Sequence, residues 1–166
     1  MEFSNFRPMN DQNQPAKSRE DVSGIFMFPD QICFPMYASS RMITRLYKPL
    51  LDELDITYPQ YLVLLVLWNE KKLSISELGQ RLFLNTNTLT PLIKKMKDKG
   101  LIKKQRSRAD ERTVFVQLTE KGVQLEEQAA PIPKALLDSL RMSTEDIEAI
   151  RDIMWRFLGN FAGQTD

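Results

Sequence analysis

The chain has 166 residues, a formal net charge of +1, one cysteine and no histidine. Its length fits one domain with an appended helical element, and without histidine neither a Ser–His–Asp nor a Cys–His nucleophile, nor a soft-ligand zinc or copper site, can be assembled within it. A lone thiol excludes an internal disulfide and fits a reducing cytoplasm, and no apolar run reaches the ~18–20 residues of a membrane span.

Residues 1–29 are polar and proline-containing, without a sustained period, and read as a disordered or tag-derived arm with Met9 available as a native start. From residue 30 to 54, Met36, Ile43, Leu46, Leu50, Leu51 and Leu54 keep helical spacing. Pro35 belongs in a first turn, which predicts a helix start near Phe34 or Pro35, and Pro49 predicts a kink near Lys48. "TYPQ" at 57–60 has capping-box form with proline in the first turn. The helix that follows, to about Asn69, is apolar nearly all round and therefore central. "SISE" at 74–77 is a second capping box, opening a short helix with Ile75, Leu78 and Leu82 inward. After "FLNTN", Leu89, Leu92, Ile93 and Met96 fall on one helical face, and the helix ends at Gly100. Its free face carries Thr86, Asn87, Thr90, Lys94 and Lys95.

Residues 101–106 and 113–118 are strand-like around the charged tip "SRADER", which predicts a two-stranded hairpin. A long helical stretch then runs from Thr119, disturbed by Pro131 and Pro133. A final helix starts at Ser143 with Ile147, Ile150, Met154, Phe157, Leu158 and Phe161 as its stripe. Residues 94–112 hold nine Lys and Arg against three Asp and Glu, so the rest of a chain of total charge +1 is acidic. A compact basic segment of this kind is the electrostatic footprint of a nucleic-acid binder.

Two short capped helices, the second polar and basic on its free face, followed by a basic hairpin, describe a winged helix-turn-helix. The expected fold is mainly α with a small β-hairpin wing and a helical dimerisation domain. Residues 57–118 would form the DNA-binding part, and 30–56 with 119–163 the dimerisation region. Thr86, Asn87, Thr88 and Thr90 would meet base edges in the major groove, and Lys94 and Lys95 phosphates. Arg106 adds to the basic wing, whose tip can lay Arg108 or Arg112 into a narrow, A·T-rich minor groove. The terminal apolar stripes have too little of their own domain to cover them, which argues for a homodimer.

"LNTNTLTPLIKKMKDKGLIKKQRSRADERTVFVQLTEKG" at 84–122 resembles the recognition helix, wing and following helix start of the MarR family of dimeric bacterial transcriptional regulators. The resemblance extends from about Gln31 to near the C-terminus. "DERTV" at 110–114 is similar to the family's wing signature, which implies that Asp110 orients Arg112, the minor-groove residue. "QICF..YASSRMITRLYKPLLDELDITYPQYLVLLVLW", where the dots stand for two residues, resembles the organic-hydroperoxide-sensing, OhrR-type branch.

That likeness implies Cys33 as peroxide sensor, hydrogen-bonded by Tyr37, Tyr47 and Tyr58, the last two from a partner subunit. With no second cysteine the chain resembles the one-cysteine type, in which a low-molecular-weight thiol captures the sulfenic acid. Asn85 and Asn87 stand where these relatives tend to have Asp and Gly, and Pro35 replaces an aliphatic residue. The chemistry is coherent, because peroxide attacks thiolate far faster than thiol, and a helix amino end and phenolic donors both stabilise an anion.

The expected function is a cytoplasmic, dimeric repressor that releases a palindromic, A·T-rich double-stranded operator when organic hydroperoxide oxidises Cys33. No catalytic residue, metal or cofactor and no membrane partner is expected. The rival reading is a MarR-type regulator of a small aromatic ligand, with Cys33 inert. A thiol peroxidase would leave the basic hairpin unexplained, and a structural DNA-bridging protein would lack a signal input.

Overall fold

The computed structural model describes residues 31–107, 109–110 and 112–160. The expected arm at 1–29, Arg108 at the wing tip and Phe161 of the terminal stripe lie outside them. The chain divides into two compact units, Met1–Arg45 and Leu46–Asp166. The division falls within the first helix, α1 (Cys33–Asp52), at the residue whose carbonyl Pro49 cannot serve because it lacks an N–H.

Helix α1 begins at Cys33, slightly ahead of the expected start, so Cys33 is inside the first turn. Pro35 is the third helical residue, where no intrahelical N–H bond is required. The helix continues through Pro49 as one element, and Leu51 is the single residue it buries.

In the unit from Leu46 onward, α2 (Tyr58–Glu70) has Pro59 in its first turn, and the Thr57 N–H donates to Gln60 Oε1 at 3.0 Å. It buries Tyr61, Val63, Leu64 and Leu67, as its all-round apolar character requires. A short strand, β1 (Lys72–Ser74), then leads into α3 (Ile75–Leu82). The Ser74 Oγ accepts the Glu77 N–H at 3.2 Å and Glu77 Oε2 accepts the Ser74 N–H at 2.7 Å, completing the capping box. The turn to α4 (Thr86–Asp98) is tight: Leu84 N–H donates to the Gly79 carbonyl at 2.9 Å. A Cβ on Gly79 would lie 2.7 Å from the Leu84 oxygen, so glycine is needed there.

The expected two-stranded hairpin is part of a three-stranded antiparallel sheet. Strands β2 (Ile102–Arg106) and β3 (Val114–Leu118) pair as expected, and β1 adds to the other edge of β3, placing Leu73 opposite Val116. Three residues between helices are too few to show an alternation, which is why the pattern missed β1.

The stretch after Thr119 is two helices, α5 (Glu120–Ala129) and α6 (Ile132–Leu140), separated at Pro131. The terminal α7 (Thr144–Gly159) is capped by Ser143, whose Oγ accepts the Asp146 N–H at 3.1 Å. The core runs from Leu51 to Ile132, with Leu64, Leu67, Leu78, Leu89, Ile93, Met96 and Val116 fully buried. Each such side chain contributes about 1.5–3 kcal/mol. Among the described residues no helix is long and apolar enough to cross a membrane.

Candidate DNA interface and thiol site

Helix α4 buries Leu89, Ile93 and Met96 and leaves Thr86, Asn87, Thr88, Thr90, Lys94 and Lys95 exposed. Asn85 starts it by accepting the Thr88 N–H at 2.9 Å and the Thr88 hydroxyl at 3.0 Å. The Thr90 hydroxyl donates to the Thr86 carbonyl at 2.8 Å. Both threonine hydroxyls thus have protein acceptors for their protons and present oxygen lone pairs outward. Pro91 sits inside the same helix and has no N–H for the Asn87 carbonyl, so that exposed turn offers a backbone acceptor beside the Asn87 amide. Lys94 and Lys95 follow one to two turns later, both exposed.

The wing is organised at its tip by two short polar side chains. Ser107 Oγ accepts the N–H groups of Ala109 at 3.2 Å and Asp110 at 3.3 Å. Asp110 Oδ1 accepts the Arg112 N–H at 3.0 Å, and Oδ2 accepts the Thr113 hydroxyl at 2.8 Å. These two hydrogen bonds, the backbone one foremost, hold the Asp110 carboxyl below its ordinary range. Asp110 therefore acts on Arg112 through the backbone. Arg106 and Arg112 are exposed along the wing. The base of the wing is tied to the start of α5 by Thr119 Oγ1, which donates to the Gly100 carbonyl at 2.6 Å, and α2 is tied to α5 by Trp68 Nε1, which donates to the Gly122 carbonyl at 2.9 Å. A Cβ on Gly122 would overlap the Leu101 carbonyl oxygen.

The thiol lies in the amino-terminal unit. Cys33 is exposed at the first position of α1, and Tyr37 follows one turn later on the same face. The Tyr37 oxygen accepts a hydrogen bond from Arg41 Nη1 at 3.3 Å, and the Arg41 guanidinium carbon lies 5.6 Å from the Tyr37 ring centroid.

The other two expected tyrosines, in the unit from Leu46, meet each other: the Tyr47 and Tyr58 ring centroids are 4.7 Å apart. Tyr61 joins them at 5.7 Å from Tyr47 and is itself edge-on to Trp68 at 6.1 Å. Burial, then the neighbouring Tyr58 and Tyr61 hydroxyls, push Tyr47 up to about 12, and burial also raises Tyr58 and Tyr61. Tyr61 and Arg41 were not expected at the site. Tyr61 stands three residues after Tyr58, but in a helix apolar nearly all round that spacing does not single it out. Among the described residues no group of three His, Cys, Asp or Glu side chains is placed to hold a metal ion.

Comparison with known proteins matches this architecture. The family description "Transcriptional regulator SarA/Rot" fits residues 45–128. An organic hydroperoxide resistance transcriptional regulator of Bacillus subtilis (strain 168) is 46% identical over 129 residues, 78% of this chain and 88% of that protein. Reduced AbfR bound to DNA superposes with a TM-score of 0.66 at 32% identity, covering 80% of this chain and 92% of that one. Overoxidised AbfR bound to DNA superposes at 0.62 with 33% identity, over 78% and 93%; AbfR is from Staphylococcus epidermidis. With its capped helix-turn-helix and wing, and with relatives that are regulators rather than enzymes, this chain belongs to the MarR family of winged-helix transcriptional regulators, in its OhrR-type branch.

Proposed function

We propose that the chain is a homodimeric repressor whose Cys33 senses organic hydroperoxide and whose α4 and wing release a palindromic, A·T-rich operator in response. The observation that carries this is the placement of its one cysteine: exposed, in the first turn of α1, on a regulator built around a basic recognition helix and wing. In this reading the thiolate sulfur attacks the distal peroxide oxygen; the O–O bond breaks, an S–O bond forms, and the alcohol leaves with the peroxide proton. The sulfenic acid then condenses with a low-molecular-weight thiol to a mixed disulfide and water.

Tyr37 and, from the second subunit, Tyr47 and Tyr58 supply hydrogen-bond donors to the sulfur. The bulk of the mixed disulfide breaks those contacts and changes the separation of the two α4 helices, which must reach half-sites ~34 Å apart together. Thr86, Asn87, Thr88 and Thr90 read base edges. Lys94, Lys95 and Arg106 contact phosphates, and Arg112, with Arg108, enters the minor groove.

The test is fluorescence polarisation on a DNA site selected from a random pool by the reduced protein. Stoichiometric cumene hydroperoxide plus a small thiol should release the wild type and leave Cys33→Ser bound, at fixed salt. Release of both, or of neither, rejects Cys33 as sensor and favours a small aromatic ligand.

A further inference from the structure

Cys33, Tyr37 and Arg41 stand four residues apart along one face of α1, and the Arg41 to Tyr37 hydrogen bond fixes more than a side-chain position. A guanidinium has donors and no acceptor, so the contact at 3.3 Å uses a lone pair of the Tyr37 oxygen and leaves the phenolic proton to point elsewhere. Helical side chains lean toward the amino end. Arg41 therefore reaches back to Tyr37, as observed, and the same tendency directs Tyr37 toward Cys33, one turn earlier. The guanidinium also lies against the Tyr37 ring, which restrains the ring of a tyrosine that is 60% exposed.

Resting on the peroxide-sensor reading above, we infer that Arg41 is a positioning residue for the sensor: it occupies the acceptor side of Tyr37 so that the phenolic O–H is held ready to donate to the Cys33 sulfur. The donor stabilises the thiolate as it approaches peroxide and the S–O⁻ group that results. Arg41 touches neither peroxide nor sulfur. Its effect passes wholly through Tyr37, and that distinguishes it from a cation acting at a distance.

The experiment measures the second-order rate of sulfenic acid formation with cumene hydroperoxide, by trapping with a dione nucleophile and mass spectrometry. The proteins are the full-length wild type, Arg41→Met, Arg41→Lys, Tyr37→Phe and the Arg41→Met/Tyr37→Phe double variant. Operator affinity of each reduced protein is measured beside it. Arg41→Met should slow oxidation by about three- to tenfold, the scale of one hydrogen bond, with operator affinity unchanged. Arg41→Lys, which restores a donor, should recover most of the rate. In the Tyr37→Phe background Arg41→Met should have no further effect.

A wild-type rate for Arg41→Met, or a slowing that persists undiminished without the Tyr37 hydroxyl, overturns the inference while leaving Cys33 as sensor. A wild-type Cys33 inert to peroxide overturns the sensor reading, and this inference with it.

Discussion

Helices α4 and α7 are both amphipathic, yet only α4 has the centre of its apolar stripe fully buried. In α4, Leu89, Ile93 and Met96 are fully buried beneath α2, α3 and the sheet. In α7 no residue is buried, and Ile150, Ile153, Met154 and Trp155 are exposed, the tryptophan by 64%. An apolar stripe that stays largely exposed along a 16-residue helix is the pattern of a helix that completes its packing against another chain. The core from Leu51 to Ile132 is thus closed within the chain, while α7 leaves apolar surface exposed, which in the proposed homodimer packs against the second subunit. In the proposed switch, a change at that surface alters the spacing of two intact subunits rather than whether they fold.

The contrast can be broken first with two glycines. Gly122→Ala forces a Cβ onto the Leu101 carbonyl at the wing base and should lower unfolding free energy by about 3 kcal/mol or more. Gly159→Ala, with nothing within 4 Å of the added Cβ, should be neutral or stabilising by up to about 1 kcal/mol. Urea denaturation of both variants decides this, and equal effects would erase the distinction between body and flank.

Trp155→Glu sharpens the contrast. It should weaken self-association by about 10- to 100-fold in sedimentation equilibrium while near-ultraviolet circular dichroism from the rings of the body stays unchanged. Retained dimer affinity would assign the α7 stripe to something other than the subunit interface.

The smallest effect concerns pH. Tyr47 is raised to about 12 in the folded chain, against about 10 when unfolded. Its contribution is complete below pH 10 and is lost as pH rises through the folded value, because the unfolded chain releases its proton first. Stability from urea titrations should decline between pH 10 and 12, less steeply in Tyr47→Phe. An identical slope would mean that the ring cluster does not bury this hydroxyl.

Much of the body is legible in residue order because local and global signals agree there. Ser74 with Glu77 announces α3, and Leu89, Leu92, Ile93 and Met96 announce α4 by period alone. The capped start at Ser143 is equally plain. Three features were not legible, for separate physical reasons. Strand β1 is three residues long and acquires its identity only from pairing with β3. Tyr61 is hidden in a helix apolar on all sides, where no stripe distinguishes a ring that contacts Tyr47 from one that merely fills the core. Arg41 contacts Tyr37 in a pair that the spacing permits at any i, i+4 position and the sequence cannot single out. Likewise "DERTV" suggests an Asp–Arg partnership, and only coordinates place it on the Arg112 backbone.

The most direct measurement of the central claim reads DNA binding and the chemical state of Cys33 in the same samples, across a titration of cumene hydroperoxide with a small thiol. Polarisation gives the operator-bound fraction, and intact mass gives the fraction of chains carrying the mixed disulfide. The proposal predicts that release rises in step with Cys33 modification and reverses with dithiothreitol. Release while Cys33 remains a free thiol, or retained operator on fully modified protein, would contradict it.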